Sequence, residues 1–283
     1  MKLILVKLLF LLLTFPCGFA QSTGFLSSIG NFNSATAFDI SANGIIYVSE
    51  SGNDQITSLD TLGNILKTTG GFGWSEAAFD NPVDVFATPL SIYIADKNNH
   101  RIQRFDRELN FVSTLSTRQR ENIEARFGYP SGIVLSNQGD WYILDSENHR
   151  IVKFDLFGNY VQNFGGFDAG NYQLRKPTSL AISPDNNIYV SDETGIVVFD
   201  AFGNGIGRFE VSEKIISVRI IFDDLVINTK ENIYHRNLRS DDTSLQEIDL
   251  SGYKLSEMIS ALKFSGRLYV LTSKEIIIFT LSL

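Results

Sequence analysis

The strongest pattern along the chain is a short run in which apolar and polar positions alternate around a central tyrosine. IIYVSE around Tyr47, SIYIAD around Tyr93, DWYILD around Tyr142 and NIYVSD around Tyr189 are its clear copies. DLVINT near Val226 is a degraded copy, and RLYVLT around Tyr269 follows it. A period of two, with β-branched and aromatic enrichment, predicts strands. The clear copies recur after 46, 49 and 47 residues, and then after 80 residues spanning two units, which makes six units in all.

The well-preserved units share an order of segments. An apolar run (PVDVFAT, PSGIVLS or PTSLAIS) precedes the tyrosine run; RIQRFD, RIVKFD or GIVVFD follows it; FVSTL, YVQNF or IGRFE closes the unit. Asn, Asp and Gly separate these segments, as turns require. Each unit therefore reads as four short antiparallel strands. No amphipathic helix is apparent after the N-terminal segment, although RQRENIEARF has room for a short turn of one. A lone four-stranded sheet leaves both faces wet, whereas units stacked around an axis bury them and protect their edges. The predicted fold is all-β, a six-bladed β-propeller. The last unit ends in EIIIFTLSL, a third strand, and TGFLSSIG near the start resembles the fourth strand of other units. Residues 24–29 are therefore expected to complete the blade formed by residues 255–281 and to close the ring.

The first twenty residues add a compartment. Lys2 and Lys7 flank an apolar run that ends in PCGFA, the layout of a secretory signal peptide. The run is too short and too interrupted to span a bilayer, which takes about 20 apolar residues. Residues 1–20 are expected to be removed, leaving 21–283 as one exported domain, periplasmic or secreted, with no transmembrane segment. Cys17 is the single cysteine, so the mature chain would carry no thiol or disulfide. Loss of Lys2 and Lys7 moves the formal charge from -8 to -10. That charge argues against nucleic-acid partners, whose phosphates need local positive charge.

Two stretches, ADKNNHRIQRFD and LDSENHRIVKFD, align without a gap, matching Asp96, Asn99, His100 and Arg101 with Asp145, Asn148, His149 and Arg150. The segment falls at the corner between second and third strands. Asn side chains cap such corners, and each arginine is placed to reach the carboxylate that ends the preceding strand. A general base or a zinc site asks for converging groups. Only His100, His149 and His235 exist, and the first two occupy equivalent places in neighbouring units. No zinc or other cofactor is expected, while calcium stays open. No nucleophile triad, dinucleotide fingerprint or phosphate loop is readable.

The two units around Asn99-His100-Arg101 and Asn148-His149-Arg150 resemble NHL repeats, named for an Asn-His-Leu motif of which Asn-His-Arg is a variant. The resemblance weakens in unit one, where Asn53-Asp54-Gln55 stands at the motif, and in unit four, which shortens it to Glu193-Thr194-Gly195. It implies a six-bladed propeller, in agreement with the count from the strands. Function is left wide open, because such rings serve as binding modules and as enzymes. With no catalytic set legible, the expectation is an exported, non-enzymatic module that binds a protein, peptide or glycan. Its expected contact face carries Trp74, Asp96, His100, Arg101, Asp145, His149, Arg150 and Tyr172 on corners and inter-unit links. The alternatives are a lyase or hydrolase acting at the axial cavity, and a structural or assembly protein. A deep central pocket with two or more buried ionisable groups would favour the enzyme. In the links, Phe72, Phe79 and Phe127 are expected to tuck between blades.

Overall fold

The computed structural model describes residues 23–255 and 257–281. The expected signal peptide, residues 1–20, lies outside them. Six four-stranded antiparallel sheets follow one another along the chain. Blade 1 begins with the inner strand Ala35–Ile40, blade 2 with Pro82–Ala87, blade 3 with Pro130–Leu135, blade 4 with Pro177–Ile182, blade 5 with Ile215–Ile221 and blade 6 with Met258–Phe264. The remaining strands of each blade follow outward by short turns. The one exception to chain order is the outer strand of blade 6, which is Thr23–Ile29 at the start of the chain. It pairs antiparallel with Ile276–Leu281, with Thr23 opposite Leu281 and Ile29 opposite Ile276. The N-terminal strand thus closes the ring, as the missing fourth strand of the last unit predicts.

Alternation along each strand sends side chains to both blade faces, and adjacent blades share them. Tyr47 and Ile56 of blade 1 pack with Val85, Ile92 and Phe105 of blade 2, while Phe38 and Ile46 pack with Leu262 and Ile276 of blade 6. In the links, Phe79 and Phe127 are buried as expected, but Phe72 is exposed. Phe72 bridges backbone to backbone with Phe79, but only the Phe79 ring joins the core between blades 1 and 2.

Two features of the inner strands shape the axis. Each loses register by one residue after its first position, as between Pro82 and Asp84 or between Ile215 and Ser217. A bulge repeated in all six blades re-aims the side chains near the axis. The inner edge of each of these strands also has no neighbouring strand, so its buried N–H groups need other acceptors. Side chains from the preceding blade serve. Ala87 N donates to Asp39 Oδ2 at 2.8 Å, Ile133 N to Asp84 Oδ2 at 3.0 Å, and Val218 N to Ser179 Oγ at 2.9 Å.

Candidate active site

The axial acceptors include two carboxylates, and a cation lies between them. Arg219, on the inner strand of blade 5, reaches across to blade 2, where its Nη2 donates to Asp84 Oδ1 at 2.6 Å. Its Nε donates to Ser260 Oγ of blade 6 at 3.3 Å, and Ser260 Oγ also accepts from Ser217 Oγ at 3.2 Å. Asp39 of blade 1 faces the same guanidinium and holds the N–H groups of Ile40 and Ala87. All three ionisable groups are buried.

Burial is the largest influence on both carboxyls. It pushes Asp39 up to about 6, with the charge of Arg219 and two backbone N–H groups only partly offsetting it. Asp84 is also raised by burial, even against the charge and hydrogen bond of Arg219. The axis therefore holds a permanent cation beside a carboxyl that changes protonation near neutral pH. Such a pair can move a proton and steady a developing negative charge.

A second group lies at the junction of blades 5 and 6. His235 Nε2 is 2.7 Å from Asp224 Oδ1, and Lys263 Nζ is 3.2 Å from the same oxygen. Pairing with His235 and Lys263 overcomes burial and lowers the Asp224 carboxyl below its ordinary range.

The residues expected on the contact face lie elsewhere. Asp96 and Asp145 are fully buried at the corner between second and third strands. Arg101 Nε bonds Asp96 at 2.7 Å, and its remaining nitrogens donate to the carbonyls of Trp74, Ser75 and Ala78 in the link from blade 1. Arg150 bonds Asp145 at 3.1 Å and the Arg126 carbonyl at 2.9 Å. His100 accepts the Tyr129 N–H at Nδ1, 3.0 Å away, and burial lowers its proton affinity. Both His100 and His149 have positive φ, 52° and 51°, which places them at the tips of equivalent corners without bringing them together. Tyr172 is half-buried against Phe199 and over Gly205, where any Cβ would strike its ring. Trp74 is 76% exposed. Arg101→Ala strands Asp96 in the interior and frees three link carbonyls, and should cost about 3 kcal/mol or more in urea unfolding. Arg150→Ala should cost less, because one of its partners, Glu124, is exposed.

Sequence reasoning missed Asp39, Asp84 and Arg219 and set His235 aside. A signal was present: ATAFDI, PVDVFA and IISVRII are innermost strands, and each carries one charge in an otherwise apolar or small-residue run. Nothing in the pattern says that these charges meet. Among the described residues, no group of three or more His, Cys, Asp or Glu side chains is placed to hold a metal ion, and no helix is long and apolar enough to cross a membrane.

Residues 127–154, the inner three strands of blade 3 with their corners, match the NHL repeat. No curated protein matches the chain in sequence. Among solved structures, virginiamycin B lyase from Staphylococcus aureus is 15% identical with a TM-score of 0.62, covering 88% of this chain and 80% of that one. A streptogramin B lyase is 14% identical with a TM-score of 0.63, covering 93% and 97%. A catalytically inactive histidine-to-alanine variant of the Staphylococcus aureus enzyme with quinupristin is 10% identical with a TM-score of 0.64, covering 93% and 100%. These matches, together with the buried ionisable axis, correct the expectation of a non-enzymatic binding module. The three solved structures described above are lyases that share this fold, and the axis carries buried ionisable groups. One repeat of the chain is an NHL repeat, and the whole has the six-bladed β-propeller fold.

Proposed function

We propose that the chain is an enzyme of the lyase or hydrolase type whose chemistry is centred on the propeller axis. The observation that carries this reading is the buried Asp39–Arg219–Asp84 group. Asp39 acts as the general base. Raised to about 6, it is mostly ionised at neutral pH yet basic enough to accept a proton in the transition state. Arg219, anchored by Asp84 and Ser260, stabilises the negative charge that builds on the substrate. In a lyase, Asp39 takes a proton from carbon, the electron pair becomes a new double bond and the leaving group departs. In a hydrolase, Asp39 takes a proton from water, whose oxygen attacks an acyl carbon; the tetrahedral intermediate then breaks its bond to the alcohol or amine, which leaves with the proton returned by Asp39. We further infer that the enzyme is exported, on the strength of its first twenty residues.

Incubation with virginiamycin B and quinupristin, and with a panel of cyclic esters and amides, tests the reading by mass spectrometry. Opening a ring by elimination leaves the mass unchanged, and hydrolysis adds one water. Turnover should rise with pH through an apparent pKa near 6, because the base works ionised. Asp39→Asn should lower kcat by about 10²–10⁴-fold with the fold intact. If Asp39→Asn keeps full turnover while His235→Gln loses it, the chemistry belongs to the junction of blades 5 and 6 and the axial reading fails.

A further inference from the structure

In blades 1 to 4 the second strand ends in a carboxylate, Glu50, Asp96, Asp145 or Asp192, and all four are buried. Three of them have both oxygens engaged. Glu50 accepts from Gln55 and Thr57 on one oxygen and from Asn33 N on the other. Asp96 takes the link N–H of Asp80 on Oδ1 and Asn99 and Arg101 on Oδ2. Asp145 repeats this with Gly128 N, Asn148 and Arg150.

Asp192 is the exception. Its Oδ1 accepts the link N–H groups of Arg175 and Lys176, at 2.9 and 2.6 Å. Its Oδ2 is buried with no hydrogen-bond partner among the described residues. The nearest cation, Arg208 Nη2, stands at 3.9 Å, beyond hydrogen-bond reach. The cause lies in the shortened motif. Asp96 pairs with Arg101 across a four-residue corner, whereas Asp192 pairs with Gly195 across only Glu193 and Thr194. The capping Asn is gone, and glycine stands where blades 2 and 3 carry Arg101 and Arg150 and blade 1 carries Gln55. The space beside Gly195 is covered by the tip of Glu210, whose Oε1 lies 2.8 Å from the position of a Cβ. Glu210 is exposed, and its oxygens accept from Arg208 Nε at 3.0 Å and Thr194 Oγ1 at 2.9 Å, contacts that an entering group must displace. An unpaired carboxylate oxygen held in the interior costs free energy until a donor reaches it.

We propose that this gap in blade 4 is a binding site for a guanidinium group supplied by a ligand. The incoming group takes the place that Arg101 and Arg150 occupy in blades 2 and 3, with Asp192 Oδ2 as one acceptor and Glu210 as a second at the rim. The planar fork of a guanidinium suits two carboxylate acceptors better than the point charge of an ammonium does. The site is built by the second, third and fourth strands of blade 4 and does not depend on the chemistry assigned to the axis.

Methylguanidine is the probe, titrated into the full chain by calorimetry and by thermal shift. For so small a ligand, saturable binding with Kd on the order of 1 mM is expected. Asp192→Asn keeps an oxygen for the link N–H groups, so the fold survives, and binding should weaken about tenfold or more. Gly195→Arg supplies the missing group from within the chain. It should abolish methylguanidine binding and raise the melting temperature by about 2–4 °C. Absence of saturable binding by the wild-type chain up to about 10 mM overturns the proposal. So does equal binding by Asp192→Asn, unchanged binding by Gly195→Arg, or tighter binding of methylamine than of methylguanidine.

Discussion

Arg219→Met is expected to destabilise the protein by about 3–5 kcal/mol at neutral pH, because it leaves two buried carboxyls without their cation. Asp39 and Asp84 are already raised by burial with Arg219 in place; without it they rise further. The sign of the pH dependence follows. Between the unfolded carboxyl value of about 4 and the raised folded values, the native state binds more protons than the unfolded state, so stability falls as pH rises. Arg219→Met should therefore be least stable at pH 8 and recover toward pH 5. Urea unfolding at both values checks this. Adding Asp39→Asn and Asp84→Asn removes the stranded charges and should restore most of the lost stability. A loss that is the same at both pH values, or that survives in the triple variant, would show that Arg219 acts through packing alone.

Deleting residues 23–29 should cost on the order of 5 kcal/mol, a large share of the stability of an ordinary domain. The strand supplies the outer edge of blade 6. Without it, the ladder groups of Ile276–Leu281 lose their partners, and Ile29 leaves the core shared by blades 1 and 6. Phe25 no longer meets Phe279 edge-on, and the hydrogen bond from Phe25 N to the Tyr253 hydroxyl goes with it. More important than these contacts, the ring stops being closed through one blade, and blades 1 and 6 are then joined by their packed faces and by the backbone hydrogen bonds from Phe32 N to Lys274 O and from Ala35 N to Ser273 O. The deletion should lower the melting temperature by more than 10 °C, at about 2–4 °C per kcal/mol for a chain of this size. A synthetic peptide covering residues 21–31 should recover part of the loss by adding back as a strand. A melting curve unchanged by the deletion would mean that the closure contributes nothing.

The fold was legible because its signals are local and repeated. Tyr47, Tyr93, Tyr142 and Tyr189 mark second strands whose alternation does not depend on their neighbours, and a missing fourth strand at one end called for a spare strand at the other. The Asn-His-Arg corners were legible for the same reason. Asp96 and Arg101 are five residues apart and face each other across one turn. Phe72 was misjudged because burial in a link depends on which of two nearby rings the local backbone turns inward. The expectation of no enzyme failed for a different reason: the axial charges come from different blades. Arg219 and Asp84 are 135 residues apart, and neither carries a local motif.

By itself, then, the amino-acid sequence determined how many blades there are, which segments form them and how the ring closes. Strand periodicity, turn residues and repeat length are properties of neighbours in the chain. Only the tertiary structure decided that Asp39, Asp84 and Arg219 share one buried space, and that Asp192 keeps an oxygen without a donor among the described residues. Charges in a strand are ordinary until the ring brings them to its axis. There, burial raises the carboxyls, and the distance to a donor in another blade or corner decides whether each is satisfied.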